Sequence, residues 1–409
     1  MLRLLWLVPV PLDLSGMRDQ SGGWLDTLAH QLLATENVEI TALSPGRSSA
    51  GVPGRSGHSR IVFGASIPGE GRSIWSRFLP SKVQRLMDAY DRSCVPIEKL
   101  VDTGRFDLVH IHGTEASWLR DAAAIAKPKV VSIHGVLSDC ASGFWSKLPL
   151  QERLRSPLLM TRWIDMRSRA KTERAHLPQY GQFFCRTNYS ERFVKKFSPN
   201  AMVHFDGRIL RPPFYSAETW RPHGRQNWHV ITTVSEQPYK GVHHLLPTLL
   251  EPSLRKLTLH IVGIRPGSEY GQVLTRISRR LGLCDRIRFL GRLPAEELRS
   301  ILLQMDAYVH PATQENSPNA LAEAMSLGLP CAVSRAGGSL EQIREGVSGV
   351  SFDPLDVNET CYAIERLCRD RTLAERLSGA AVVEARERHD PNKVLAQTME
   401  GYLKVISRG

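Results

Sequence analysis

The chain of 409 residues is too long for one ordinary core and suits two domains of roughly 200 residues each. It is 42% hydrophobic and 23% charged, with ordinary glycine and proline usage, which excludes a disordered or fibrous protein. No apolar run approaches the ~20 residues of a membrane span, and the net charge of +12 admits nucleic acid, anionic lipid or phosphorylated substrates as partners.

The N-terminus, MLRLLWLVPVPLDLSG, places a basic residue before an apolar stretch, as a secretory signal does. Pro9 and Pro11 interrupt that stretch and no small-residue cleavage site follows, so Leu2–Val8 reads as a buried first strand. Further strands are expected at Val38–Ser44, Asp107–Gly113, Lys129–Gly135 and Gln182–Thr187. Between the first two, Gly22–Thr35 reads as a helix with Leu25, Leu28, Ala29 and Leu32 on one face. The alternation pauses in a Pro-, Arg- and Gly-rich stretch at Ile209–Asn227 and then restarts. Strands are expected at Trp228–Ser235, Leu257–Gly263, Arg286–Gly291, Asp306–Pro311, Pro330–Ser334 and Gly349–Phe352. Helices are expected at Gly241–Leu250, Tyr270–Leu281, Pro294–Gln304, Pro318–Leu327, Ser339–Arg344, Asn358–Ser378 and Asn392–Ile406. This reads as two open α/β domains in tandem: residues 1–213, a linker 214–227, residues 228–390, and a helix at 391–409 crossing back to the first domain. The expected ligand site is the cleft between such domains, at the carboxyl ends of the strands.

Chemistry concentrates in ENSPNALAEAMSLGLP, Glu315–Pro330. Ser317 reads as an N-cap and Pro318 as the first helical position, with Gly328 and Pro330 as the stop. The helix start offers free N–H groups and partial positive charge to a phosphate. Glu315 and Glu323 stand on the order of 10 Å apart, too far for an acid/base couple but suited to gripping hydroxyls at two ends of a nucleotide-sugar. Lys240–Gly241 follows a strand and opens a helix, where a lysine neutralises phosphate. Gly22–Gly23 and Gly337–Gly338 lie in strand-to-helix turns and allow close backbone approach. His134, and His112 one strand earlier, sit at strand ends as donors to sugar or phosphate.

Seven cysteines are odd in number and lack metal-ligand spacing, reading as small buried residues in a reducing compartment. Between Lys147 and Arg174 eight basic residues face only Glu152, Asp165 and Glu173, with leucines and Trp163 interleaved. Such a stretch fits either an anionic membrane surface or a solvated helix face. The charge is not organised with stacking aromatics, so no nucleic-acid partner is expected.

With these residues assembled, the chain resembles the GT-B retaining glycosyltransferases of glycosyltransferase family 4, the group 1 enzymes. The resemblance rests on YKG, HIVG, RIRFLG, the Glu-x7-Glu run ENSPNALAE, EAMSLGLPCAVS and AGGSLEQIREGVSGVSF, in order between Lys240 and about Asp353. In the more divergent N-terminal half SGGWLDTLAHQL, DLVHIHG and VVSIHG still fit, and CRTNYSERF with ILRPPFY is similar to the bacterial branch serving capsular and surface polysaccharides. The resemblance implies two Rossmann-like doubly wound domains facing a central cleft. It implies that Glu323 holds the nucleotide ribose and Glu315 contacts the donor sugar, with Asn316, Ser317, Pro318 and Asn319 around the sugar and diphosphate. Lys240 would bind the diphosphate, Gly23 would lie under it, and His134 would orient the sugar. Gly263 and Leu290–Gly291–Arg292 would line the base pocket. Where many relatives carry an arginine five residues before that lysine, this chain has Ser235; Arg186 is the candidate to replace the charge. The implied reaction retains anomeric configuration. It takes a nucleotide-sugar co-substrate, UDP-linked by this resemblance, and uses neither cofactor nor metal. A glycan or polyprenyl-linked acceptor and a cytoplasmic site, peripheral at the inner membrane face, follow from the same reading. A sugar-nucleotide epimerase and a non-catalytic scaffold on a degenerate fold, the latter motivated by Ser235 and the basic stretch, remain as alternatives.

Overall fold

A computed structural model describes residues 1–9, 23–45, 59–64, 97, 102–116 and 118–408. Gly22 and Cys94 lie outside these residues. By packing, the chain forms two units: 1–138 with 161–209 and 391–409, and 139–160 with 210–390. This differs from the sequence-based boundaries at two places. Residues 139–160 and 210–213, expected in the first domain, pack in the second unit, and so do the expected linker residues 214–227.

The first unit is built on a seven-stranded sheet, in the order β3-β2-β1-β4-β5-β6-β7. Its strands are β1 (Leu2–Leu7), β2 (Val38–Pro45), β3 (Ser59–Gly64), β4 (Leu108–His112), β5 (Lys129–Ser132), β6 (Gln182–Cys185) and β7 (Met202–Phe205). All pair in parallel; Leu4 lies opposite Ile40 on β2 and Leu108 on β4. Helices cover both faces of such a sheet, so its central strands read as unbroken apolar runs. All five residues of β4 are buried, and Leu5, Val109, Val131 and Phe183 lie in the core. β7 was not expected: it is a half-buried strand with the weakly apolar sequence MVHF. β3 was not expected either.

The helix Pro391–Ile406 packs within this first unit. Tyr402 sits 2.8 Å from His110 Nδ1 through its hydroxyl, and His110 Nε2 lies 2.7 Å from Ser132 Oγ. A Cβ on Gly401 would fall 2.4 Å from the Phe184 ring, so the helix lies close against β6 there.

The second unit has six parallel strands in the order β10-β9-β8-β11-β12-β13. They are β8 (His229–Thr233), β9 (Thr258–Val262), β10 (Ile287–Gly291), β11 (Ala307–His310), β12 (Cys331–Ser334) and β13 (Val350–Phe352). Val230 pairs with Leu259 on β9 and with Ala307 on β11. The core gathers Ile231, Tyr308, Leu321, Met325 and Val333. The helix expected at Asn358–Ser378 is two helices, Val357–Arg369 and Arg371–Arg388. Asp370 divides them: its carboxylate accepts from Leu373 N–H at 2.9 Å and caps the second. Among the described cysteines Cys140, Cys185, Cys331 and Cys361 are buried, but Cys284 is exposed, contrary to the expectation that all are small core residues.

Candidate active site

In the six-stranded sheet the strand order reverses between β8 and β11, and open α/β sheets bind ligands outside the carboxyl ends at such a point. The loop after β8 carries Ser235 to Gly241; the loop after β11 carries Pro311 to Pro318. The two are stitched together. Thr313 donates its N–H to the Tyr239 carbonyl at 2.8 Å and its hydroxyl at 3.1 Å. Gly241 has φ +75, and a Cβ there would sit 2.0 Å from the Pro311 carbonyl oxygen, so the close approach requires glycine. Lys240 then donates to Glu315 Oε2 across the two loops.

Glu315 is the electrostatic centre of this arrangement. Burial works against its charge, but the Lys240 ammonium, His310 and a 3.1 Å bond from Asn316 N–H outweigh it and hold the carboxyl below its ordinary range. His310 lies 3.9 Å away; burial lowers it to about 4, so it is neutral at pH 7. The loop after β12 closes on the same residue. Gly338 donates its N–H to the Glu315 carbonyl at 3.0 Å. Gly337, at φ +57, would place a Cβ 2.0 Å from that oxygen. Gly337 therefore lets the two loops pack closely.

The helix after this loop spans Asn319–Ser326, with Pro318, in extended backbone, as its N-cap. Ser317 is not the cap that its type suggests: the helix starts one residue later, at the Pro318 cap, and the Ser317 hydroxyl accepts from Gln342 Nε2 at 3.2 Å. The stop is as expected: Gly328 N–H bonds Met325 O at 2.9 Å and Leu329 N–H bonds Ala324 O at 3.0 Å. Glu323, 5% exposed, accepts a two-pronged bond from Arg211 Nε and Nη2 at 2.8 and 2.8 Å. Burial raises its pKa against the pull of Arg211. Sequence reasoning missed Arg211, which lies in the proline-rich stretch 112 residues upstream.

Gly263 and Gly291 end the neighbouring strands β9 and β10, joined by Gly263 N–H to Gly291 O at 2.6 Å. Leu290 beside them is half-buried and Arg292 exposed. Ser235 is exposed, and the next residue, Glu236, pairs with Arg265 at 3.1 Å. Arg265 thus stands beside the loop that lacks the expected arginine. Arg186 belongs to the first unit, 3.7 Å from Asp206 and 4.2 Å over the Trp24 ring.

In the first unit Gly23 caps the helix Trp24–Leu33 with extended backbone, and among the described residues nothing lies within 4 Å of a Cβ placed there. His134, two residues past β5, meets Trp24 edge to face at 4.9 Å. Burial, then Arg186 and Arg208, push it well below its ordinary pKa, so it is neutral. His112 is instead interior, 1% exposed and packed on Trp6 at 4.3 Å. It is a structural histidine. Trp24 and Arg208, whose guanidinium lies 4.8 Å over that ring, had no distinguishing spacing in the sequence. Glu173 is fully buried and pushed up to about 7, by burial first, against a bond from the Thr114 hydroxyl, with Glu115 adding repulsion. A carboxyl raised on folding stabilises below its unfolded pKa and loses that contribution as pH rises through about 7. Stability should therefore fall from pH 5 to pH 8 by an amount that Glu173→Gln reduces, by about 3 kcal/mol at most. Urea titrations at the two pH values measure this, and equal losses in both proteins would show the assignment wrong.

Residues 227–382 match the family described as glycosyl transferases group 1. That range contains both stitched loops and the helix bearing Glu323. Residues 227–382 are a glycosyl transferases group 1 domain. The chain carrying this group 1 domain is 34% identical over 125 residues to the GDP-mannose-dependent alpha-mannosyltransferase of Corynebacterium glutamicum. The match covers 31% of this chain and 28% of that protein. Among solved structures, the fold is similar to sucrose-phosphate synthase of Thermosynechococcus elongatus, at TM-score 0.70 and 16% identity over 100% of both chains. It is also similar to Anabaena HepE in complex with UDP and glucose, at TM-score 0.62 and 18% identity, over 98% of this chain and 99% of that one. The group 1 domain is thus the second doubly wound unit of a GT-B fold, and the seven-stranded unit is the first.

Proposed function

We propose that this protein is a retaining glycosyltransferase that moves a sugar from a uridine diphosphate sugar to a glycan or polyprenyl-linked acceptor of a surface polysaccharide. The observation that carries the reading is the Lys240–Glu315 pair at the strand-order reversal of the group 1 domain, one short helix away from Glu323. Lys240 supplies positive charge for a leaving diphosphate, and Glu315, held ionised, supplies an acceptor for sugar hydroxyls. Glu323 meets the ribose, sharing its oxygens with Arg211. His134, neutral, offers a ring nitrogen to the sugar. No metal enters this scheme, since Lys240 carries the charge role. The uridine assignment draws on HepE, whose structure holds UDP and glucose.

Nucleotide release from a panel of UDP- and GDP-sugars, with and without EDTA, tests the reading. Release of UDP only with an acceptor present, and unchanged by EDTA, is expected. Turnover of GDP-sugars alone corrects the base; loss of turnover in EDTA removes the metal-free scheme; turnover without acceptor points to an epimerase.

The acceptor reading includes contact with an anionic membrane. No helix among the described residues is long and apolar enough to cross a membrane. On the short helix Leu150–Leu154, Leu150 and Leu154 are 67% and 72% exposed, one turn apart beside the exposed Arg155. Part of the basic stretch is engaged internally: Arg153 binds the Leu148 and Trp145 carbonyls, and Arg169 pairs with Asp165. Sedimentation with vesicles containing phosphatidylglycerol should retain the protein, and Leu150→Ser with Leu154→Ser should release it. Equal retention of both proteins would place the contact elsewhere.

A further inference from the structure

Residues 139–160 lie outside the matched range 227–382, yet they pack within the same unit. They are fixed at one end by charge. Glu152 is 0% exposed and accepts from Arg276 Nε and Arg280 Nη2, both at 2.7 Å, while Arg276 also donates to Ser156 Oγ at 3.2 Å. Such charge-assisted bonds to a buried carboxylate are strong anchors. Lys147, in the left-handed region at φ 45, donates to the Leu355 carbonyl.

The other end reaches the two loops of the candidate site. The Phe144 ring, fully buried, lies 6.3 Å from the ring of Tyr239, the residue before Lys240. His243 follows Lys240 by three residues, and its Nε2 lies 2.8 Å from the Ser146 carbonyl. A carbonyl only accepts, so Nε2 carries the proton and Nδ1 accepts from the Tyr270 hydroxyl at 2.8 Å. At Gly143 a Cβ would fall 2.8 Å from Gln314 Cγ, and Gln314 directly precedes Glu315. The segment therefore touches both loops next to the residues that matter.

We propose that residues 139–160 are a working part of the donor site, a brace that sets the position of Lys240 and Glu315, with Gly143 as the contact on which the Glu315 loop rests. This rests on the transferase reading above. Gly143 and Phe144 are positioning residues: they act through Gln314 and Tyr239. A displacement of about 1 Å at a reacting group lowers turnover by up to about a hundredfold.

The test uses the full chain in the nucleotide-release assay. Gly143→Val should lower kcat/KM by about tenfold to a hundredfold, with the melting temperature within a few degrees of wild type. Adding Gln314→Ala, which removes the atom in the way, should bring kcat/KM back to the level of Gln314→Ala alone, and that single variant should itself lie several-fold below wild type because it takes away the contact on which the Glu315 loop rests. A purely structural defect would lower the melting temperature in step with kcat/KM in these variants, whereas a positioning defect lowers kcat/KM with the melting temperature kept. Should Gly143→Val not fold, Gly143→Ala with and without Gln314→Ala decides in the same way. An active wild type with Gly143→Val equal to it, or a loss that Gln314→Ala does not recover, overturns the brace alone. A wild type that releases no nucleotide overturns the transferase reading, and the brace with it.

Discussion

Replacing Glu315 with alanine should lower turnover by about a hundredfold to a thousandfold while nucleotide affinity stays within a few-fold of wild type. The expectation follows from how this carboxylate is held. Burial alone would raise its pKa, and the Lys240 ammonium, His310 and the Asn316 N–H together reverse that effect. Three loops converge on the residue, through Thr313, Lys240 and Gly338, so its position is fixed before any ligand arrives. A group fixed in advance needs no reorganisation at the moment of reaction. The folded state should survive the change, because Lys240 has a flexible stem and reaches water once its partner is gone. Glu315→Gln separates shape from charge: it keeps the volume, and its turnover should fall nearly as far. Melting curves with added UDP, run beside the turnover assay, complete the test. Wild-type turnover in both variants would remove Glu315 from the site.

The second large effect concerns stability. Arg211→Met should cost about 3–5 kcal/mol near neutral pH, because it leaves the Glu323 carboxylate buried without its partner. For a unit of this size that is a fall of roughly 10 °C in melting temperature. Methionine keeps apolar volume over Phe214, whose ring centre lies 5.0 Å from the guanidinium, so lost packing contributes little. Burial already raises the Glu323 pKa, and Arg211 is what pulls it down. Without Arg211 the carboxyl moves higher still. A folded pKa raised above the unfolded one stabilises on the acid side and loses that contribution as pH rises through it. The deficit of Arg211→Met should thus be larger at pH 8 than at pH 5. Adding Glu323→Gln should recover much of it by removing the charge. A single variant that melts with wild type at pH 8 would show that the pair does not hold this unit together.

The parts of the structure that depend on near neighbours in the chain were legible in the sequence. All six strands of the second unit fall where their apolar runs predicted, and the helix Asn319–Ser326 ends at its glycine stop. The loops bearing Lys240 and Glu315 were placed correctly relative to their strands. Contacts between distant positions were not legible. Glu323 finds its partner 112 residues away, and Glu152 finds Arg276 and Arg280 at separations of 124 and 128. Nothing in the local pattern around Glu152 marks it as buried; it read as a counter-charge in a basic stretch. Ser317 shows the same limit on a smaller scale. Its type favours a helix cap, but the cap falls at Pro318 and the hydroxyl is engaged by a glutamine 25 residues on.

The packing has a consequence for how the protein is made. The chain passes from one unit to the other four times, at residues 138, 160, 209 and 390. Neither unit is a continuous stretch of sequence. During synthesis the seven-stranded unit has all its strands by Phe205, yet the hydroxyl that engages His110 belongs to Tyr402 and emerges from the ribosome nearly 200 residues later. At about 5–20 residues per second that is a wait on the order of ten seconds or more. Over that interval the nascent sheet carries an unfilled groove where the helix Pro391–Ile406 will lie. A gene cut between the two halves would leave that groove unfilled for good, and would strip the group 1 domain of residues 139–160 at the same stroke.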